Sequence, residues 1–196
     1  TKRNAVIKDW DLVDETVNLV EWPQVIAAEF DADLLQLPPK LLVESMKVHQ
    51  RVFPLYTENR LQNAFLAVSN QPYATDPAVA EKIAEGNTRV LTARFYDAKF
   101  FYAEDRKKNL EAHGTKLSGM RWVRNGGTMA EKAIRIAKRA EEWAPNFDAD
   151  PAECHRAALL CKNDLCTMMV TEFPKLQGHV GRLLAGFDGE SPNVAA

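Results

Sequence analysis

Apolar residues along this chain change their spacing near residue 70. Before that point short helical and alternating runs are mixed; after it the spacing is helical throughout. Leu12, Thr16, Leu19 and Val20 recur near the 3.6-residue period, which predicts a helix over 9–22 stopped by Pro23. Val25–Phe30 reads as a short strand. Pro38-Pro39 opens a second helix, with Leu41, Leu42, Ser45, Met46 and Val48-His49 on its apolar face, ending near Arg51. Val52–Tyr56 and Ala64–Ser69 are rich in strand formers, and the polar Thr57–Arg60 between them predicts a β-hairpin.

Helical spacing then takes over. Asp76-Pro77 is a cap followed by a first-turn proline and leads Ala78–Glu85, which Gly86-Asn87 punctuates. A long helix follows from Thr88 to about Lys108, burying Leu91, Phe95, Ala98 and Tyr102. Thr128-Met129-Ala130-Glu131 is a capping box that starts a helix through Ile134, Ile136, Ala137 and Ala140 to Trp143. Asp150-Pro151 opens another, expected to run to about Phe173. The fold class read from this pattern is α+β, with a mixed part over 1–70 and a helical part over 71–196. The linker at 69–75, containing Gln71-Pro72, is the expected boundary.

The chain of 196 residues is 46% hydrophobic and 27% charged, the composition of a globular domain. No apolar run approaches the roughly 20 residues that span a bilayer, so no membrane partner is expected. Thr1–Lys8 lacks the apolar core of a signal peptide. With the capless tail Glu190–Ala196, this start reads as an excised piece of something longer. Cys154, Cys161 and Cys166 are not spaced as a Cys-x-x-Cys site and read as buried small hydrophobes, which places the chain in a reducing cytoplasm.

Net charge is −2, yet it is unevenly spread. Residues 1–93 hold nine Lys/Arg against thirteen Asp/Glu, residues 94–139 twelve against five, and residues 140–196 four against nine. A basic middle between acidic flanks suits a polyanion, although soluble helix faces alone account for such a pattern. The exposed stripe of the long helix carries Arg89, Thr92, Tyr96, Lys99 and Arg106. Gly126-Gly127 ahead of the Thr128 helix, with Arg121 and Arg124 nearby, could receive a phosphate, but a plain turn and cap is the simpler reading.

No catalytic residue and no metal ligand is assigned. Phosphate-binding glycine loops, His-Glu-x-x-His and Gly-x-Ser-x-Gly are all absent. None of the histidines His49, His113, His155 and His179 adjoins an aspartate. His155 and Asp164, nine residues apart on one expected helix, would be about 13 Å apart along its axis, too far to share a metal. Carboxylate pairs such as Asp14/Glu15, Glu104/Asp105 and Glu141/Glu142 read as solvated helix faces.

Several long blocks together resemble the β subunit of the bacterial-type heterotetrameric glycyl-tRNA synthetase. They are Asp11–Pro23 (DLVDETVNLVEWP), Leu37–Pro54 (LPPKLLVESMKVHQRVFP) with Phe65–Asn70 (FLAVSN), Gly86–Asp105 (GNTRVLTARFYDAKFFYAED), and Ala157–Leu165 (AALLCKNDL) with Glu172–Gly178 (EFPKLQG) and Gly181-Arg182. Their order is the family's and they span nearly the whole chain. Met120–Glu131, Met168 and Leu183-Leu184 depart from the family's usual residues.

The resemblance implies a mixed α/β part followed by an HD-like helical part, from the middle of a longer subunit. It implies that the α subunit carries out aminoacylation with ATP and magnesium, that this subunit binds and positions tRNA(Gly), and that the assembly is α2β2. Arg89, Arg94, Tyr96, Lys99, Arg106, Lys107, Lys108, Arg121 and Arg124 are then the candidate RNA contacts, expected to form one outward cationic ledge with no cofactor on this chain. An HD-type metal-dependent phosphohydrolase is one alternative. A module whose acidic ends and Trp10, Trp22 and Trp143 dock other subunits is another.

Overall fold

The computed structural model describes the backbone of Ala5–Val6 and residues 9–196. The reading of Thr1–Lys8 therefore falls mostly outside the described residues. The fold is α+β, and it divides into two compact units, residues 1–99 and 100–196. The boundary expected at 69–75 is not where this division falls; it lies within a long helix.

The first unit holds a four-stranded antiparallel sheet in the order β1-β3-β4-β2, built from β1 (Ala5–Val6), β2 (Pro23–Glu29), β3 (Phe53–Thr57) and β4 (Arg60–Asn70). The expected hairpin is present: β3 and β4 meet across Glu58 and Asn59, both left-handed (φ 50° and 62°), as a two-residue type I′ turn requires. Register slips between Pro54 and Tyr56, where proline has no N–H to give the ladder. Along β2, Ile26 and Ala28 face the core while Val25 and Ala27 face out, the alternation of a half-buried strand. Phe65 of β4 is fully buried.

Helix α1 (Trp10–Leu19) is capped by Asp9, whose carboxylate accepts the Leu12 N–H at 3.2 Å. It is shorter than the expected 9–22, because Val20 is already extended and the chain is turning into β2 at Pro23. Of its expected apolar stripe only Leu12 is buried; Leu19 is 55% exposed. Helix α2 (Pro39–Ser45) starts at the diproline and widens into a π turn, Met46–Gln50, before Arg51 ends it in the left-handed conformation.

Helix α3 runs unbroken over Pro77–Asp105, so Gly86-Asn87 does not punctuate it. A mid-helix glycine costs about 1 kcal/mol, too little to break a helix that buries Leu91, Phe95 and Ala98 beyond it. Asn87 stays inside the helical pattern by donating to the Ile83 carbonyl at 2.9 Å.

The second unit is helical apart from one isolated bridge, Arg121 with Thr128. It comprises α4 (Leu110–Gly114), α5 (Met129–Trp143), α6 (Pro151–Leu160), α7 (Met168–Glu172), α8 (His179–Phe187) and α9 (Pro192–Ala195), with short 3₁₀ turns between them. The capping box is complete: Thr128 Oγ1 accepts from Glu131 N at 3.2 Å, and Glu131 Oε2 accepts from Thr128 N at 2.7 Å. Asp150 caps α6 through the Ala152 and Glu153 N–H groups.

The expected helix from Pro151 to Phe173 does not form; α6 stops at Leu160 and the chain folds into shorter segments. Two buried carboxylates show why. Asp105, read as part of a solvated pair, is only 2% exposed and accepts the Met168 and Met169 N–H groups at 2.9 Å each, fixing the start of α7. Asp164, fully buried, receives Gly178 N at 2.5 Å and Gly181 N at 3.1 Å at the start of α8. These long-range bonds replace the ones a continuous helix would make. The thiols also depart from expectation, since Cys161 is exposed and Cys154 and Cys166 are half-buried, all three free.

Candidate nucleic-acid interface

In the first unit the candidates sit on α3. Leu91, Phe95 and Ala98 are fully buried, and Phe95 meets Phe30 edge-on at 5.0 Å between ring centroids. Thr88 donates to the Glu29 carbonyl at 3.1 Å, which fixes the helix beside the end of β2. With that face inward, Arg89, Tyr96 and Lys99 are exposed on a common side, within about 80° of one another at 3.6 residues per turn. Tyr96 presents about half its surface to solvent (52%). Arg94 is five residues from both Arg89 and Lys99, hence about 140° around the axis from each. There it pairs with Asp97 at 3.5 Å, so the four do not make a single ledge.

In the second unit the remaining candidates differ in how committed they are. The Arg106 guanidinium lies flat against Phe187, 3.6 Å from the ring centroid, and 5.5 Å from Tyr102. Lys107 pairs with Glu104. Lys108 is exposed with no ion pair among the described residues. Arg121 and Arg124 project from a small loop closed by three backbone bonds: Met129 N to Met120 O at 2.7 Å, Trp122 N to Gly127 O at 3.0 Å, and Gly126 N to Val123 O at 3.0 Å. Gly127, left-handed at φ 79°, lets the chain turn back into the cap of α5; a Cβ there would lie 2.1 Å from Glu131 Oε2.

The Thr128 hydrogen bonds hold the Glu131 carboxyl below the usual carboxylate range, so it stays ionised in the cap. Arg121 and Arg124 carry no ion pair among the described residues and line a shallow depression with Ser118 and Thr128.

Sequence reasoning passed over an apolar, aromatic groove on α5 with cations at its rim, lined by Trp122, Lys132, Arg135, Ile136, Arg139 and Trp143. The Lys132 ammonium is 4.0 Å from the centre of the Trp122 ring, and Arg135 donates to the Gly126 carbonyl at 3.0 Å. The signal was available: Lys132, Arg135, Ile136, Arg139 and Trp143 recur at the spacing of one helix face.

His113, His155, Glu111, Glu141 and Glu190 are engaged in structure. His155 Nδ1 lies 2.8 Å from Glu141, and with α6 ending at Leu160 it no longer shares a helix with Asp164. His113 contacts the Asp105 carbonyl at 2.9 Å. Arg156 is clamped between Glu190 (2.6 Å) and Glu111 (3.0 Å), which raises its affinity for its proton still further. Among the described residues no three His, Cys, Asp or Glu side chains converge as a cation site, and no helix is long and apolar enough to cross a membrane.

Comparison with known proteins supplies the class. Residues 1–196 match the family described as glycyl-tRNA synthetase beta subunit. Relatives include the glycine–tRNA ligase beta subunits of Xanthomonas campestris pv. campestris strain B100 (41% identical over 193 residues) and Neisseria meningitidis serogroup A (44% over 192), covering 98% and 97% of this chain. That of Desulforamulus reducens is 42% identical over 195 residues, 97% of this chain. These are components of an aminoacyl-tRNA synthetase, a ligase of protein biosynthesis. The chain belongs to the glycyl-tRNA synthetase beta-subunit family, and it spans 27–28% of the length of these three relatives.

Proposed function

We propose that this chain is a tRNA-handling segment of a cytoplasmic glycine–tRNA ligase, acting with a separate α subunit in an α2β2 assembly. Glycine activation, with its ATP and magnesium, takes place on the α subunit. The observation that carries the reading is the set of exposed cations without ion pairs among the described residues: Arg89 and Lys99 flanking Tyr96 on α3, and Arg121 and Arg124 on the Met120–Thr128 loop. Cations free of neighbouring carboxylates can exchange water and small counterions for phosphates without first breaking a pair, and an exposed tyrosine among them offers a ring face to a base or sugar.

Tyr96 and the arginines would contribute binding and orientation, not chemistry. Lysine-reactivity footprinting of the assembled ligase tests this directly. Bound tRNA(Gly) should protect Lys99 and Lys108, and ATP–pyrophosphate exchange should require the α subunit. Unchanged reactivity of both lysines at saturating tRNA, or exchange by the β subunit alone, rejects the proposal.

A further inference from the structure

Resting on that reading, we infer that the groove along α5 is a subsite for an unpaired stretch of the RNA, with bases against the indoles and the phosphates on the flanking cations. One wall is Trp122, on the loop before the helix; the far end is Trp143, at the last position of α5, and Ile136 lies on the floor between them. Both tryptophans are substantially exposed, 44% and 59%. Their rings are open to solvent at the two ends of one groove, where a flat apolar group can lie against each.

The charge of the rim says what kind of partner. Lys132, Arg135 and Arg139 all line the groove; Arg139 is held by Glu142 at 2.8 Å, which leaves Lys132 and Arg135 as the cations for phosphates. A neutral apolar helix would have to strand those cations against its own surface. An RNA strand uses both features at once, because every base has a flat apolar face and every nucleotide a negative charge. Lys132 now rests over the Trp122 ring, and its flexible stem lets the ammonium move to a phosphate as a base takes its place. Arg135, anchored to the Gly126 carbonyl at 3.0 Å, keeps the loop and helix in register. A duplex cannot fill this site in the same way, since its bases are stacked on one another.

The experiment uses the assembled ligase and two fluorescent probes, a short oligo(A) RNA and a blunt RNA duplex of equal length. Trp122→Ala and Trp143→Ala should each weaken oligo(A) at least about tenfold and the duplex less than about twofold. Trp122→Phe should retain most of the oligo(A) affinity, and Lys132→Gln should lose about threefold to tenfold. Lys138→Ala, exposed on the same helix outside the groove, should weaken both probes alike and by less than about threefold.

If an alanine variant unfolds, the Phe and Gln variants decide the matter by the same criteria. Equal losses for both probes, or no loss for oligo(A), overturn the inference. So does an alanine variant whose α and β chains separate in ultracentrifugation while oligo(A) binding persists, which would make the groove a protein contact. Should the wild-type assembly bind neither probe nor tRNA(Gly), the tRNA-handling reading itself fails. Strong binding of both probes that ignores the tryptophans removes only the groove.

Discussion

Ion pairing divides the exposed cations into two groups with different expected contributions to RNA affinity. Arg89, Lys99, Arg121 and Arg124 have no ion pair among the described residues, whereas Arg94 and Lys107 are held by Asp97 and Glu104. Each cation that neutralises a phosphate releases condensed counterions, contributing about 0.7–0.9 to the slope of log affinity against log salt. Replacing Arg89, Lys99, Arg121 and Arg124 with alanine should therefore lower the slope for tRNA(Gly) by about 3. Because the two lines converge near 1 M salt, that difference corresponds to about 300-fold weaker binding at 0.15 M. Replacing Arg94 and Lys107 should change the slope by less than about 1, since each must give up a carboxylate to reach a phosphate. Filter binding by the assembled ligase from 0.05 to about 0.4 M potassium chloride measures both. A quadruple variant with an unchanged slope, or a larger effect from the paired cations, refutes the assignment.

Three further outcomes concern the scaffold that holds these groups. Asp105→Ala leaves the Met168 and Met169 N–H groups without their acceptor and should cost about 3–5 kcal/mol, read by urea denaturation at constant m; a loss below about 1 kcal/mol would show that α7 starts without it. Burial pushes the Asp164 carboxyl above its ordinary range against the opposing pull of the Gly178 and Gly181 N–H groups. The folded state thus holds this proton more tightly than the unfolded one, and its contribution to stability falls as pH rises from the unfolded value through the folded one; relative to Asp164→Asn, the native chain should gain stability on acidification through that window, and an opposite trend in urea melts would contradict the assignment. Gly127→Ala should destabilise by about 1–2 kcal/mol and loosen the Arg121–Arg124 loop, detected as faster amide exchange at Trp122 and Gly126; protection equal to the native chain would show that the left-handed turn is dispensable.

Local chemistry made part of this structure readable. The Thr128–Glu131 capping box, the Asp150 cap, the proline starts of α2, α3 and α6, and the Glu58-Asn59 hairpin each depend on a few neighbouring residues, and each occurs where the sequence indicated. What stayed hidden depends on contacts between distant residues. Nothing near Asp105 or Asp164 distinguishes them from solvated carboxylates; their bonding partners lie 63 and 64 residues away for Asp105, and 14 and 17 for Asp164. Gly86-Asn87 likewise looked like a stop because local propensity favours one, and packing of the helix beyond it prevailed.

The candidate interface shows the same division. Sequence located the basic segment, and the helical period put Arg89, Tyr96 and Lys99 on one side. It could not show that Arg94 turns to Asp97 or that Arg106 stacks on Phe187, because those depend on which neighbour each long side chain meets. Function follows from that distinction. A cation held by a carboxylate adds solubility and local order, while one without a carboxylate partner retains its capacity for a phosphate. Counting charges along the chain overstates the candidate interface, and ion pairing narrows the candidates to a smaller set. The indoles beside Lys132, Arg135 and Arg139 then matter more than another lysine would, because stacking on a base persists at salt concentrations that suppress phosphate contacts.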